Sequence, residues 1–175
     1  MAYVPRTSTT SPTAMQNNPW WYSTGNIYYP NNPLPNCTCY TYGRIGEING
    51  EFNTDLPLAN GGDWYDRVAS AGIIPVGFLP AVGGIVVYKD PQGQYFGHCC
   101  VVEEIDSQGR IRTSNSGYPD VYFWYSDWLS PDDGYLESWM MDRGYVYQGC
   151  IYTYEGGAET RRRHLPIWMM LRYGY

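Results

Sequence analysis

Between Gly83 and Asn115 the chain places β-branched, apolar runs on either side of two four-residue turn signals, and no other stretch narrows the fold as much. Gly84-Ile85-Val86-Val87-Tyr88 leads to Asp90-Pro91-Gln92-Gly93; His98 to Ile105 leads to Asp106-Ser107-Gln108-Gly109, and Arg110 to Asn115 returns. Runs of this kind suit pleated faces, while Asp, Pro and Gly reverse the chain, so consecutive antiparallel strands are predicted. Tyr145 to Tyr154 alternates as a final strand. Upstream the signals are helical. Pro33 and Pro35 block a helix ahead of Asn36, and Asn is a strong N-cap, so a helix is predicted from Cys37 through Tyr42 toward Ile45, stopping near Gly46. A second runs from Asp63 to about Ser70, after the turn Asn60-Gly61-Gly62 and before Ala71-Gly72. Helices followed by an antiparallel sheet make an α+β domain.

The 175 residues suffice for one core and are too few for two ordinary ones. Residues 1–18, rich in Ser, Thr and Pro and without periodicity, read as a flexible tail, leaving 19–175 as a single domain. Residues 117–144 carry Trp124, Trp128 and Trp139 but no usable period. A formal charge of -6 argues against a nucleic-acid binder, which would present a basic face. The short cluster Arg161-Arg162-Arg163-His164 reads as a solvated loop. Five cysteines cannot form a complete disulfide set within one chain, so a reduced state and cytoplasmic synthesis are expected. The first residues lack the apolar core of a secretory signal, and no apolar run is long enough to span a bilayer, so no membrane insertion is expected.

The chemistry lies in Cys37, His98 and Asn115. In the first turn of its helix Cys37 meets unpaired N–H groups and the positive end of the macrodipole, which favour a thiolate. Most cysteines are small buried hydrophobes, and the residues alone leave both roles open. Cys39, about 200° further round the helix, points elsewhere and reads as core. If Ile105 pairs with Arg110, Asn115 falls opposite Cys100 and becomes the diagonal neighbour of His98 on one face. An amide there can accept from one imidazole nitrogen while the other faces a thiol. A one-residue bulge would destroy that relation. Glu103 and Glu104 read as solvent-facing or edge charges. Cys99 and Cys100 invite a metal, but neither C-x-C nor Cys-Cys is a usual zinc spacing, and no metal or cofactor is expected.

Asn36-Cys37-Thr38-Cys39-Tyr40-Thr41-Tyr42-Gly43-Arg44 resembles the first motif of the CHAP family, the cysteine- and histidine-dependent amidohydrolases/peptidases that cut peptidoglycan. Cys39 stands where that motif has an aromatic residue. Asn60-Gly61-Gly62-Asp63-Trp64-Tyr65, Gly83-Gly84-Ile85-Val86-Val87, Gly97-His98-Cys99-Cys100-Val101-Val102-Glu103-Glu104 and Thr113-Ser114-Asn115 follow the family's later motifs in order. The resemblance implies a papain-like fold, with N-terminal helices on a central antiparallel sheet. It implies Cys37 as nucleophile, His98 as base and then acid, and Asn115 as the orienting third member, where the family often has a carboxylate. Main-chain N–H groups at the helix start would hold the oxyanion; Asn36 could assist, though capping is its first task. Trp64, Tyr65, Tyr118 and Trp124 are the expected groove walls. The implied substrate is a cell-wall amide, either muramoyl-alanine or one within the peptide. The expected setting is a phage lysin or virion component, with other virion proteins as partners. A bacterial enzyme exported by a non-classical route, or a non-catalytic wall-binding or structural module, is the alternative.

Overall fold

A computed structural model describes residues 3–8 and 11–154. Four α-helices and six strands are seen among them: α1 (Pro12–Gln16), α2 (Cys37–Asn49), α3 (Trp64–Ala71), β1 (Val76–Gly77), β2 (Ile85–Lys89), β3 (His98–Ile105), β4 (Ile111–Gly117), β5 (Val121–Tyr125), α4 (Ser138–Asp142) and β6 (Val146–Ile151). The strands form one sheet in the order β1-β6-β2-β3-β4-β5, every pair antiparallel. This is the α+β class read from the sequence. The basic cluster at 161–164 lies outside the described residues.

β2 is buried on both faces, as its unbroken apolar run requires. On one face Ile85, Val87, Cys99, Val101 and Ile151 pack against Cys39, Tyr40, Tyr42 and Ile45 of α2, and against Trp21, Tyr28 and Trp64. On the other, Val86, Tyr88, Cys100, Val102 and Cys150 pack against Ile111, Leu129, Tyr135, Met140 and Tyr145. The segment after Gly117 therefore covers the second face. It holds β5 and α4, neither of which the sequence reading foresaw.

α2 continues beyond Gly46 to a left-handed cap at Gly50. Gly43 and Gly46 lie where a Cβ would come within 2.5 Å of the Trp20 carbonyl and 2.9 Å of its ring. These two glycines serve close packing rather than termination, which is why Gly46 does not stop the helix. Part of the expected tail is also ordered. Ser11 caps α1, Met15 is buried, and residues 3–6 lie against the sheet and α2. The polar composition there concealed specific anchors, Tyr3 and Arg6.

Those anchors meet Glu103, which is 1% exposed rather than solvent-facing. Its carboxylate accepts from Arg44 Nε and Nη2 (2.9 Å each), Ser114 Oγ (2.6 Å), Tyr3 OH (2.5 Å) and the Arg6 N–H (2.9 Å). Five donors compensate the loss of hydration that would otherwise exclude a buried carboxylate. Glu103 is also the extra residue of a bulge: Glu104 faces Arg112, but Val102 faces Thr113. Replacing Glu103 with Gln removes the fully buried carboxylate from Arg44 and leaves the guanidinium only its partly exposed pair with Glu47. The variant is expected to lose about 3–5 kcal/mol of stability, read by urea unfolding; a loss below about 1 kcal/mol would show that the pair does not hold this region.

Candidate active site

The start of α2 meets the start of β3. Asn36 Oδ1 accepts from the Thr38 N–H (2.9 Å), the Cys39 N–H (3.2 Å) and Thr38 Oγ1 (2.6 Å). That oxygen is committed to the helix, while the Cys37 N–H remains available to a bound oxyanion. The Asn60-Gly61-Gly62 turn fits underneath: a Cβ on Gly61 would lie 3.2 Å from Cys37 Sγ and 3.1 Å from the Cys99 nitrogen. Gly97, at φ +73, passes so near Gly62 that a Cβ would come within 2.4 Å of its Cα. The Gly62 N–H donates to the Phe96 carbonyl at 3.0 Å. Glycine at 61, 62 and 97 is therefore what brings the thiol to the histidine strand.

His98 Nε2 lies 3.0 Å from Asn115 Oδ1. The amide's orientation is fixed, because its Nδ2 donates to the Thr113 carbonyl (3.0 Å) and Thr113 Oγ1 (2.9 Å). Oδ1 must then face the imidazole, Nε2 carries the proton, and Nδ1 is left for Cys37. The register behind this contact arises from two offsets. Asp106 stretches the turn by accepting from the Gln108 and Arg110 N–H groups, so Ile105 pairs with Ile111 rather than Arg110. The bulge at Glu103 restores the register, Val101 faces Ser114, and Asn115 returns to the His98 face.

The Cys37 and His98 side chains lie near enough for each to shift the titration of the other. The Cys37 thiol is held well below its ordinary range, first by a hydrogen bond with Cys99 and then, against the cost of burial, by His98. Burial opposes charge on His98, yet the neighbouring Cys100 and Cys37 sulfurs raise it well above its ordinary value. Burial pushes the Cys99 and Cys100 thiols up, and Cys39 up to about 12. One thiol of this group is thereby poised to ionise. Among the described residues no group of three His, Cys, Asp or Glu side chains could hold a metal ion.

Four expected groove residues are placed differently from one another. Trp124 pairs across the sheet with Asn115, and its ring stacks on His98 at 5.6 Å, with Nε1 donating to Glu137 at 2.9 Å. Tyr118 is 85% exposed in the turn after β4. Tyr65 is half-buried against Gly149. Trp64 is not a groove wall: it is fully buried, and its Nε1 donates to Tyr28 OH (3.0 Å) and the Ala59 carbonyl (3.3 Å). The apolar face of a short helix takes its largest side chain into the core. Trp139, which meets His98 edge-on at 5.5 Å, escaped the sequence reading because residues 117–144 show no period. Pairing Trp124 with Asn115 would have been the only signal. A cavity of 380 Å³ lies elsewhere, lined by Tyr3, Arg6, Arg44, Glu47 and Tyr154, and includes neither Cys37 nor His98.

A CHAP domain model matches residues 27–117, just over half of the chain, and the chain belongs to that family. It is similar to the Staphylococcal secretory antigen SsaA of Staphylococcus aureus strain NCTC 8325 / PS 47 and to the Staphylococcal secretory antigen ssaA1 of strain COL. Each is 32% identical over 97 residues, covering 55% of this chain and 33% of the relative. The chain thus matches about a third of the length of these relatives. A crystal structure of an N-acetylmuramoyl-L-alanine amidase from Staphylococcus aureus superposes with a TM-score of 0.49 at 23% identity, over 67% of this chain and 31% of that one.

The electrostatics predict how Cys37 titrates. Because its pKa is lowered and that of His98 raised, thiolate and imidazolium coexist around neutral pH. Alkylation of Cys37 should remain fast well below the ordinary thiol pKa, and His98→Ala should move its midpoint upward. Peptide mapping after timed alkylation reads both; an ordinary midpoint in the wild type would contradict the pairing.

Proposed function

We propose that the chain hydrolyses an amide bond of bacterial peptidoglycan, with Cys37 as nucleophile and His98 as general base and then acid. The observation that carries this reading is a helix-start thiol set beside an imidazole whose Nε2 rests on Asn115. Family membership supports the substrate class.

The Cys37 thiolate attacks the carbonyl carbon, and negative charge develops on the carbonyl oxygen. The Cys37 N–H, free of the Asn36 cap, is aimed by the helix to receive it. Collapse breaks the C–N bond, and His98 delivers its proton to the departing amine. Water, deprotonated by the now neutral His98, releases the acyl group and regenerates the thiolate. Asn115 keeps Nε2 protonated and the ring in plane throughout, without the charge a carboxylate would add. Burial of His98 beneath Trp124 and Trp139 limits competition from bulk water. A phage lysin or virion component as the setting belongs to the same proposal and rests on composition alone.

The test is release of soluble fragments from purified peptidoglycan, with mass spectrometry of the products to assign the bond. Cys37→Ala is expected to release nothing, His98→Ala to lose about a hundredfold or more, and Asn115→Ala to lose less than His98→Ala. Cys39→Ala should keep most activity. Equal release by the wild type and Cys37→Ala, or none by either, would defeat the proposal.

A further inference from the structure

Beside the candidate site stands an arginine held by rings rather than by a carboxylate. Arg143 follows α4 and is exposed. Its guanidinium lies over Trp139 at 5.2 Å and over Tyr95 at 5.3 Å. These two rings both pack edge-on against Tyr145, at 5.8 and 6.0 Å. Trp139 in turn meets His98 at 5.5 Å. Among the described residues Arg143 forms no ion pair, although Arg6, Arg44, Lys89 and Arg110 each do.

Cation–π contact with two rings restrains the guanidinium and leaves the N–H edge of its planar fork without a carboxylate among the described residues. That edge matches a carboxylate in a two-bond, charge-assisted fork. A long, flexible side chain ordinarily loses entropy on capturing a ligand; here the two rings restrict it in advance. The position also has a defined reach. The steps from guanidinium to Trp139 and from Trp139 to His98, 5.2 and 5.5 Å, set an upper limit on the separation that about three extended residues at ~3.5 Å each would cover.

We infer that Arg143 forms a carboxylate subsite, selecting peptide substrates that carry a free carboxylate within about three residues of the scissile amide. This rests on the hydrolase reading above and specifies its substrate: a stem peptide with a free acid should be preferred over the same peptide with that group amidated. In a chain of net charge -6, such a subsite supplies the local positive charge needed to admit an acidic peptide.

The test uses the Cys37→Ala protein, which binds without turnover, and two synthetic muramoyl-peptide fragments differing only in carboxylate against carboxamide. Calorimetric titration is expected to show the acid binding about tenfold tighter, a preference that weakens with added salt. In Cys37→Ala/Arg143→Gln the preference should vanish while affinity for the amide stays the same, which shows the pocket intact. Arg143→Lys, a point charge without the planar fork, should recover only part of it. Equal affinity for both fragments, or a preference that survives Arg143→Gln, overturns the subsite alone. Failure of both fragments to bind removes the hydrolase reading and the subsite with it.

Discussion

The carboxylate of Glu103, enclosed at a bulge and tied to Arg44, is the constraint on which the rest of the site depends. Side chains on a strand alternate, so a register slip of one residue moves a whole set to the other face. The Asp106 turn introduces such a slip, and the extra residue at 103 cancels it before the strands reach His98 and Asn115. The same carboxylate draws together α2 through Arg44, β4 through Ser114 and the N-terminal segment through Tyr3 and Arg6. One buried charge thus fixes both the strand register that places Asn115 and the seat of the helix that presents Cys37.

The site divides electrostatic labour among neutral and charged groups. Asn115, a neutral amide, orients the imidazole without offering charge, its Oδ1 turned to the ring because Nδ2 is committed to Thr113. The positive charge on His98 is favoured by sulfur instead, at Cys100 and Cys37. Aromatic rings close three sides of the imidazole: Trp124 and Tyr88 stack on it, and Trp139 meets it edge-on. The low polarity of that enclosure strengthens the thiolate–imidazolium attraction while it penalises either ion alone.

The sequence made the helix start at Cys37 and the span of β3 legible because both follow from local rules: proline and asparagine chemistry for the first, β-branched continuity for the second. The Asn115–His98 contact was reached from a turn one residue too short, and the unforeseen bulge made up the difference. Local patterns cannot disclose such compensation, since the burial of Glu103 depends on Arg44, 59 residues away. Trp64 was misread for a related reason: a motif places a residue near a site without saying which way its ring turns. β5, α4, Trp139 and the seating of residues 3–6 depend on what the second sheet face and the Glu103 pocket require, and no periodicity records that.

In the proposed reaction Cys37, and none of the four other thiols, becomes acylated. Rapid acid quenching during turnover of a muropeptide substrate, followed by intact-mass analysis and peptide mapping, tests it directly. One transient adduct of the mass of the acyl fragment is expected, located on Cys37 and absent from Cys37→Ala. Turnover without any adduct, or an adduct on Cys39, Cys99 or Cys100, would contradict it.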